Sequence, residues 1–252
     1  MLSWLSPKRR PVIVAHRGSS GTAPENTLAA FRQAIDDGAD AVELDIHLSK
    51  DGEVVVIHDP QLSRTTDGRG RVHRRTIAEL RQLDAGRWFH KRFAGENIPT
   101  LSEVFEMLNG RLGVNIEIKG CRRRQTYDIV ERCIRVVKNH RASKYVLISS
   151  FHHPFVKKVK ILDPSIVTGV LYHPVRHARK SPHLLTAAAG AEFFICGDRY
   201  LRSSVVKDID DFHIPLSVYS INRMKQFGKI MRIGTDCIVT DHPARIVRWL
   251  GR

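Results

Sequence analysis

The sequence predicts a single (β/α)₈ barrel, and three observations lead to this fold class. Short apolar runs recur along the chain, and their uniform apolarity is typical of parallel strands buried on both faces. A longer amphipathic or polar segment follows each run, as in βα units. The 252 residues contain no Pro/Gly-rich linker, so we expect one domain over residues 1–252.

Eight of the apolar runs qualify as barrel strands, at residues 12–15, 41–46, 114–118, 145–149, 167–171, 192–196, 215–219 and 237–240. Helices are predicted between them, for example at 27–37, 125–139, 155–161 and 243–250. Eight strand–helix units are the number that closes a parallel barrel. An open doubly wound sheet is the alternative fold, but no Gly-rich dinucleotide loop follows the first strand.

One further apolar run, 54–57, interrupts the alternation. Only residues 49–53 separate it from the second strand, whereas a parallel crossover needs about a dozen residues or more. This linker contains an Asp-Gly pair, which has the composition of a tight turn. The two runs are therefore predicted to form a hairpin that returns His58 to the level of Asp45.

A longer departure follows the hairpin. Residues 59–100 carry loops and one short predicted helix, near 76–83, before the third barrel strand begins. We expect this segment to be an insertion that covers one mouth of the barrel.

The net charge of +15 permits attraction to nucleic acid, to anionic lipid or to an anionic substrate. The basic residues concentrate in four clusters, at 69–75, 119–124, 157–160 and 176–180. No recognition helix or aromatic-interleaved platform accompanies them, so we expect no specific nucleic-acid site. Peripheral contact with an anionic membrane stays open.

The four cysteines have no CxxC spacing and no disulfide-framework pattern, which favours a reducing cytoplasm. The apolar N-terminal residues are too few for a signal peptide, and basic residues follow them instead of preceding them. No run approaches the roughly 18 apolar residues of a membrane span. We therefore expect a cytoplasmic protein without a transmembrane segment, of open oligomeric state.

Polar residues occur where the predicted strands end, which is where barrels of this class build their active sites. The second strand carries Glu43 and Asp45, two residues apart and therefore on one side of the strand. The third barrel strand carries Glu117 and Lys119 with the same spacing. The other candidates are His16 and Arg17 after the first strand, His58 after the hairpin, and Asp241 after the last strand.

These residue types together indicate metal-assisted phosphoryl transfer. Three carboxylates at one mouth repel each other unless a cation lies among them, and hard oxygen ligands favour Mg²⁺, Ca²⁺ or Mn²⁺. Two histidines beside the cation can act as general acid and base. Arg17 and Lys119 supply fixed positive charge for phosphate oxygens.

Each candidate also has a non-catalytic interpretation. Glu117 and Lys119 could form an internal ion pair, and His58 could simply end the hairpin. Asp236 and Asp241 are expected to support the last strand–helix turn. The remaining histidines are expected on the surface without convergent partners; among them are His73, His90, His152, His153, His173 and His177.

The ordered set of motifs resembles the glycerophosphodiester phosphodiesterases over about residues 12–245. The motifs are His16-Arg17-Gly18, Pro24-Glu25-Asn26-Thr27, Glu43-Leu44-Asp45, His58-Asp59, Ile98-Pro99-Thr100-Leu101, Glu117-Ile118-Lys119, Ser150-Phe151, Gly234-Thr235-Asp236 and Thr240-Asp241. Each motif is weak alone, but their order is highly specific. The resemblance implies a barrel enzyme that hydrolyses a glycerophosphodiester to glycerol 3-phosphate and an alcohol.

The resemblance also implies roles for individual residues. Glu43, Asp45 and Glu117 correspond to ligands of a divalent metal, Mg²⁺ or Ca²⁺, with Mn²⁺ as a third candidate. The catalytic set comprises His16, His58 and Arg17, and the substrate-binding set comprises Arg17, Lys119 and Tyr219. Asn26 resembles the cap of the first helix, and residues 59–100 resemble the insertion that separates this family from phosphoinositide-specific phospholipases C.

Two features depart from the family pattern. The family motif on the seventh strand usually contains Trp, and this chain has Tyr219 at that position. The preference for a particular leaving alcohol is therefore open. The clusters Arg74-Arg75 and Arg122-Arg123-Arg124 are unusually basic and are predicted near the mouth. They lead to the hypothesis of a more anionic or membrane-bound substrate.

Two other functions compete with this interpretation. A lysophospholipase D-type enzyme of the same superfamily would need an acyl-chain groove, for which Trp4 and the aromatic residues Trp88, Phe89 and Phe93 are candidates. A non-catalytic basic barrel would bind nucleic acid or anionic lipid, and it would be expected to have a damaged site. All the expected site residues are present, which favours the phosphodiesterase.

Overall fold

The computed structural model describes residues 2–119 and 128–252. The strands are β1 (Val12–His16), β2 (Ala41–Leu48), β3 (Val54–Val56), β4 (Gly113–Ile118), β5 (Val146–Ser150), β6 (Val167–Leu171), β7 (Phe193–Gly197), β8 (Leu216–Tyr219) and β9 (Cys237–Thr240). The helices are α1 (Leu28–Asp36), α2 (Ile77–Leu80), α3 (Leu101–Leu108), α4 (Asp128–Asn139), α5 (His153–Leu162), α6 (Pro182–Ala189), α7 (Ser203–Asp211), α8 (Met224–Ile233) and α9 (Pro243–Trp249).

Eight parallel strands form a closed barrel. They run in the order β1-β9-β8-β7-β6-β5-β4-β2, and the pairing of β1 with β2 closes the ring. The predicted (β/α)₈ fold is thereby confirmed, and each predicted strand agrees with an observed one to within two residues. The first predicted residues of the fourth helix, 125–127, and the Arg122–Arg124 cluster lie outside the described residues.

The predicted hairpin is present as β2 and β3, which pair antiparallel with Ile46 opposite Val56. The next residue, Ile57, donates its backbone N–H to the Asp45 carbonyl over 2.9 Å. His58 therefore lies one residue beyond the level of Asp45, at the carboxyl end of the barrel. The rest of the insertion contains only short helical turns and α2, which begins with a Thr76–Glu79 capping box.

The amino-terminal half of the barrel interior is apolar and closed. Val12 and Cys237 face each other there on paired strands, and Phe193 packs in the same cluster. Trp4 fills this end; it is 2% exposed and meets the Phe193 ring edge-on with centroids 6.4 Å apart. The sequence alternative that placed Trp4 in an acyl groove is therefore wrong, because this residue plugs the end opposite the mouth.

The helices pack on the outside of the strands through amphipathic faces. In α4, for example, Ile129, Cys133 and Val137 recur at i, i+4 spacing and all are buried.

Cys133, Cys196 and Cys237 are free thiols buried in apolar surroundings. Among the helices of the described residues, none is both long and apolar enough to cross a membrane.

Gly18 holds the first strand–helix loop against α1, and a side chain there is expected to destabilise the fold. Its φ is +80°, and a Cβ would lie 2.6 Å from the backbone carbon of Ala30. We expect Gly18→Ala to lower the free energy of unfolding by about 2–4 kcal/mol, from left-handed strain plus overpacking. Urea unfolding measures this change.

Gly70→Ala is the matched control for that substitution. Gly70 has a φ of +94°, but a Cβ there would meet nothing within 4 Å. This variant should lose only the conformational part, about 1–2 kcal/mol. Equal losses in the two variants would contradict the close approach to Ala30.

Candidate active site

A cavity of about 220 Å³ opens at the carboxyl ends of the strands. Because strand residues alternate in direction, every second residue near these ends points into it. Seven of the predicted site residues line the cavity: His16, Arg17, Glu43, His58, Glu117, Lys119 and Tyr219. The eighth, Asp45, lies beneath them and is 1% exposed.

The carboxylates of Glu43, Asp45 and Glu117 form one buried cluster. Each offers an oxygen within 4.8 Å of the others. Burial, followed by the negative charge of Asp45, raises the pKa of Glu43 to about 8. Burial and the Asp45 charge also raise the pKa of Glu117, although Lys119 opposes the change. Without a cation, burial and mutual repulsion therefore favour the neutral forms of Glu43 and Glu117.

Asp45 is the member of this cluster that keeps its charge. Burial alone would raise its pKa, but Lys119 and Arg17 outweigh that effect and hold the pKa well below the usual range. Lys119 Nζ lies 2.8 Å from Asp45 Oδ1 and 2.6 Å from Glu117 Oε1. Arg17 Nε lies 3.3 Å from Asp45 Oδ2. The carboxylates of Asp45 and Glu117 raise the pKa of Lys119 against the effect of burial, which favours its charged form.

The sequence indicated that Asn26 caps the first helix, but the structure shows a different arrangement. Thr27 is the N-cap of α1, and its hydroxyl accepts the N–H of Ala30 over 3.3 Å. Asn26 has a φ of +59°, which turns its amide away from the helix and toward β2. The amide N–H donates to Asp45 Oδ2 over 2.8 Å, and its oxygen accepts the Asp45 N–H over 3.3 Å. Asn26 therefore fixes the orientation of a predicted metal ligand.

Arg17 also has a left-handed backbone, with a φ of +55°. Its backbone N–H donates to Glu43 Oε2 over 3.0 Å, while its guanidinium donates to Glu25 Oε1 over 2.8 Å. A bulky residue rarely adopts this conformation, and such strain is concentrated at functional sites. The turn lets one residue contact the acidic cluster through both its backbone and its side chain.

His16 is oriented by Asp241, a residue that the sequence assigned only to support of the last turn. His16 Nδ1 lies 2.6 Å from Asp241 Oδ1. Asn222 holds the other carboxylate oxygen with an N–H donated over 2.5 Å. Burial lowers the pKa of His16, but the Asp241 hydrogen bond and the Glu43 charge reverse this effect and raise it. The Nε2 atom faces Glu43, 3.9 Å from its carboxylate.

His58 has an equivalent carboxylate partner. Its Nδ1 lies 2.5 Å from Asp59 Oδ1, and Arg64 donates to the other Asp59 oxygen over 2.6 Å. Arg64 also donates two hydrogen bonds to Glu25, at 2.7 and 2.8 Å. Burial dominates at His58 and lowers its pKa. A continuous set of ion pairs therefore links His58 to Arg17 through Glu25.

Arg64 and the roles of Glu25, Asp59 and Asn222 were missed by the sequence reasoning. Glu25 and Asp59 belong to two of the family motifs. Asp59 directly follows His58, and Glu25 lies eight residues after Arg17, so the sequence offered a signal that each acid could pair with its neighbour. Arg64 carries no such signal, because it lies in an irregular loop.

Tyr219 closes one side of the cavity at the end of β8. Its ring is half-buried, and burial raises the pKa of its hydroxyl to about 12. Phe151, Leu171 and Ile195 provide an apolar wall next to it. The cavity thus has a charged side formed by β1, β2 and β4, and an apolar side formed by β5 to β8.

The basic cluster Arg74-Arg75 lies on the insertion, next to the β2–β3 turn. Lys50 donates its backbone N–H to the Arg75 carbonyl over 2.7 Å. The Arg75 guanidinium pairs with Glu79 at 3.2 Å. Part of the charge that the sequence placed near the mouth is therefore neutralised locally.

Two histidines that were expected on the surface are not isolated there. His177 is only 8% exposed, and its ring stacks on that of His153 with centroids 4.0 Å apart. The expectation was wrong because the loop after β6 folds back over the start of α5. The pair lines a second cavity, next to Phe151.

The acidic cluster fits a hard divalent cation. Its donors are carboxylate oxygens alone, which Mg²⁺, Ca²⁺ and Mn²⁺ prefer. The distances among these oxygens allow one ion to contact all three side chains. A bound divalent charge would also relieve the repulsion that raises the pKa of Glu43.

Fold and site together define a (β/α)₈ barrel with an acidic centre and two carboxylate-held histidines at the carboxyl ends of its strands. Residues 16–245 match the glycerophosphoryl diester phosphodiesterase family. The chain therefore belongs to this family of hydrolases.

Relatives and solved structures agree with that assignment. The glycerophosphodiester phosphodiesterase of Caldanaerobacter subterraneus subsp. tengcongensis is 37% identical over 240 residues, covering 94% of this chain and 97% of that protein. The enzyme of Bacillus altitudinis is 35% identical over 238 residues, covering 94% and 96%. A phosphodiesterase structure from Oleispira antarctica, in complex with the product sn-glycerol-3-phosphate, superposes with a TM-score of 0.90. It is 32% identical and covers 96% of this chain and 97% of its own.

Proposed function

We propose that this protein hydrolyses glycerophosphodiesters to sn-glycerol 3-phosphate and an alcohol, in a reaction that depends on a divalent cation. The observation that carries the proposal is the convergence of three carboxylates, two histidines and two fixed cations on one cavity. The product complex of the Oleispira antarctica relative supports the same substrate class. The buried free thiols fit a cytoplasmic location.

Glu43, Asp45 and Glu117 would hold the cation. When bound, it would supply Lewis-acid stabilisation of phosphate charge and lower the pKa of a coordinated hydroxyl or water. Arg17 and Lys119 are proposed to hold phosphate oxygens, since the neighbouring carboxylates raise the pKa of both side chains and favour their positive charge. Tyr219 is proposed to pack against the glycerol half of the substrate.

His16 and His58 are proposed as the acid–base pair. A carboxylate only accepts hydrogen bonds, so Asp241 and Asp59 each hold a hydrogen on Nδ1 of their histidine. Each Nε2 is then free to give or take a proton at the phosphate. The attacking oxygen approaches the phosphorus from one side while the alcohol departs from the opposite side, and two separate histidines can serve these two positions.

The first test is release of glycerol 3-phosphate from a panel of glycerophosphodiesters, with EDTA and with added Mg²⁺ or Ca²⁺. We expect release that requires the metal and is lost in His16→Ala and Glu43→Ala. His213→Asn is the control, because His213 is exposed and has a φ of +50° that Asn adopts readily.

Other results would favour the competing functions. Release of choline from a lysolipid, without turnover of soluble diesters, would favour the lysophospholipase D chemistry. Salt-sensitive binding to nucleic acid without metal-dependent hydrolysis would favour the non-catalytic barrel.

A further inference from the structure

A second cavity, of about 610 Å³, lies on the outside of the barrel between α5 and α6. We call it the α5–α6 groove. It is lined by Pro154, Lys157 and Ile161 on α5, and by Leu185 and Ala188 on α6. Its upper end reaches Phe151, which also lines the candidate active site. The groove and the active site therefore adjoin across one aromatic ring.

The lining of the groove is strongly basic. Lys157, Lys158, Arg176 and Lys180 contribute four cations, and no carboxylate of the described residues lines it. Lys158 pairs with Glu131 at 3.3 Å. For the other three, residues 2–119 and 128–252 provide no carboxylate within ion-pair distance. Such a concave array of uncompensated cations attracts an anion.

The stacked histidines add a hydrogen-bond donor to this array. His177 Nδ1 accepts the backbone N–H of His173 over 2.9 Å, so the hydrogen of a neutral ring is on Nε2. His153 Nε2 donates to the Leu171 carbonyl over 3.0 Å. Burial lowers the pKa of His177 to about 4, with smaller contributions from the neighbouring histidines and then from Lys180 and Arg176. The ring therefore stays neutral, and its Nε2–H has no acceptor among the residues described.

We propose that the α5–α6 groove is an anion subsite of the active site, which binds a second phosphate on the alcohol half of the substrate. The inference rests on the proposed function and names its preferred substrate class: glycerophosphodiesters whose leaving alcohol is itself phosphorylated. Water adds across one P–O bond of the diester, which yields glycerol 3-phosphate. The proton goes to the departing alkoxide oxygen, and the second phosphate stays on the released alcohol.

The position of the groove supports this substrate over a free anion. The groove begins at the apolar side of the active site, opposite the acidic cluster and the fixed cations that face the scissile phosphate. An alcohol half that extends past Phe151 would point toward the groove, since this ring lines both cavities. The hydrogen bond between His153 and the Leu171 carbonyl ties the groove to the same wall, since Leu171 lines the active site.

The test compares two diesters whose leaving alcohols differ only by one phosphate group. Glycerophosphoglycerol has a neutral alcohol half, and its analogue carries a phosphate monoester on the distal glycerol. We expect the wild-type protein to hydrolyse the phosphorylated diester with a kcat/KM about tenfold higher, as charge-assisted hydrogen bonds at a partly exposed site would give. In Arg176→Gln/Lys180→Gln this preference should fall to near unity, with the rate on glycerophosphoglycerol unchanged.

Lys144→Gln/Arg232→Gln is the matched control. It removes the same two charges from exposed positions, one just before β5 and one in the last turn of α8, at the opposite end of the barrel. This control should keep the wild-type preference. Thermal unfolding of both double variants should match that of the wild type, because all four side chains are exposed.

The possible outcomes are separable. Equal hydrolysis of both diesters by the wild type, or a preference that the groove variant retains, would overturn the subsite and leave the proposed function standing. If both double variants lost the preference for the phosphorylated diester equally, the preference would come from general electrostatic attraction and the subsite would be rejected. Loss of binding to phosphatidylglycerol vesicles, with the preference intact, would identify a lipid-docking surface instead. Hydrolysis of neither diester would remove both proposals.

Discussion

Glu43→Gln is expected to abolish metal-dependent turnover while leaving the fold intact. The substitution removes one of three carboxylates that lie within 4.8 Å of each other, and it keeps the shape of the side chain. The amide oxygen can still accept the Arg17 N–H that Glu43 Oε2 accepts over 3.0 Å. We expect kcat/KM to fall by at least about 100-fold. Removing a residue that only hydrogen-bonds to a metal ligand already lowers activity by about 10- to 100-fold, and removing the ligand itself should have a larger effect.

The same variant should change how the cation affects stability. Metal at about 100 times its Kd should stabilise the wild type by about 2.7 kcal/mol, which corresponds to a Tm increase of roughly 5–10 °C for a chain of this length. Glu43→Gln should lose most of this increase. In EDTA it should unfold at or above the wild-type temperature, since it removes a carboxyl group whose ionisation is opposed by burial and by the Asp45 charge.

Glu106→Gln is the control for the charge change. Glu106 is exposed on α3, and its one hydrogen bond within residues 2–119 and 128–252 is accepted from the Ser102 hydroxyl over 3.3 Å. This variant should keep both the turnover and the metal-induced increase in Tm. If Glu43→Gln also kept them, the acidic cluster would not be the metal site.

The two histidines are expected to give large and distinguishable losses. His16→Ala and His58→Ala should each lower kcat by about 10²–10⁴-fold, the usual contribution of a general acid or base. A substrate with p-nitrophenol in place of the aliphatic alcohol needs no proton on its leaving oxygen. We therefore expect this substrate to restore much of the rate in one histidine variant and not in the other.

The carboxylate partners provide the matched controls for this prediction. Asp241→Asn and Asp59→Asn leave each histidine in place but replace an acceptor-only carboxylate by an amide, which can donate to Nδ1 and favour the other tautomer. Each asparagine variant should lose less kcat than the alanine variant of its histidine. The p-nitrophenol substrate should restore the rate in the same one of the two pairs. Rescue of both histidine variants, or of neither, would contradict a division of labour between acid and base.

Much of the fold followed from local sequence patterns. The runs at 12–15, 167–171 and 237–240 became strands with nearly the predicted bounds, because uniform apolarity at strand length has few other stable arrangements. The hairpin was equally predictable, since its five-residue linker excludes a parallel crossover. The insertion was predicted only as a region, because its loops have no periodic pattern.

The candidate site was predictable for residues on strands. Glu43, Asp45 and Glu117 converge because alternate residues of parallel strands share one face and all strands end at one mouth. Asn26 was assigned wrongly, since a side chain beside a helix start is ordinarily a cap. Its positive φ, which no local pattern indicated, directs the amide to Asp45 instead.

The sequence by itself therefore determined the barrel, its hairpin and the group of polar side chains at its mouth. Only the tertiary structure decided which of these side chains are partners. Asp241 reaches His16 from 225 residues away, and Arg64 links Asp59 to Glu25 from an irregular loop. The basic α5–α6 groove was likewise invisible until the loop after β6 placed His177 on His153. Periodicity fixes which face a side chain occupies, whereas contacts between loops depend on backbone turns that the whole fold imposes.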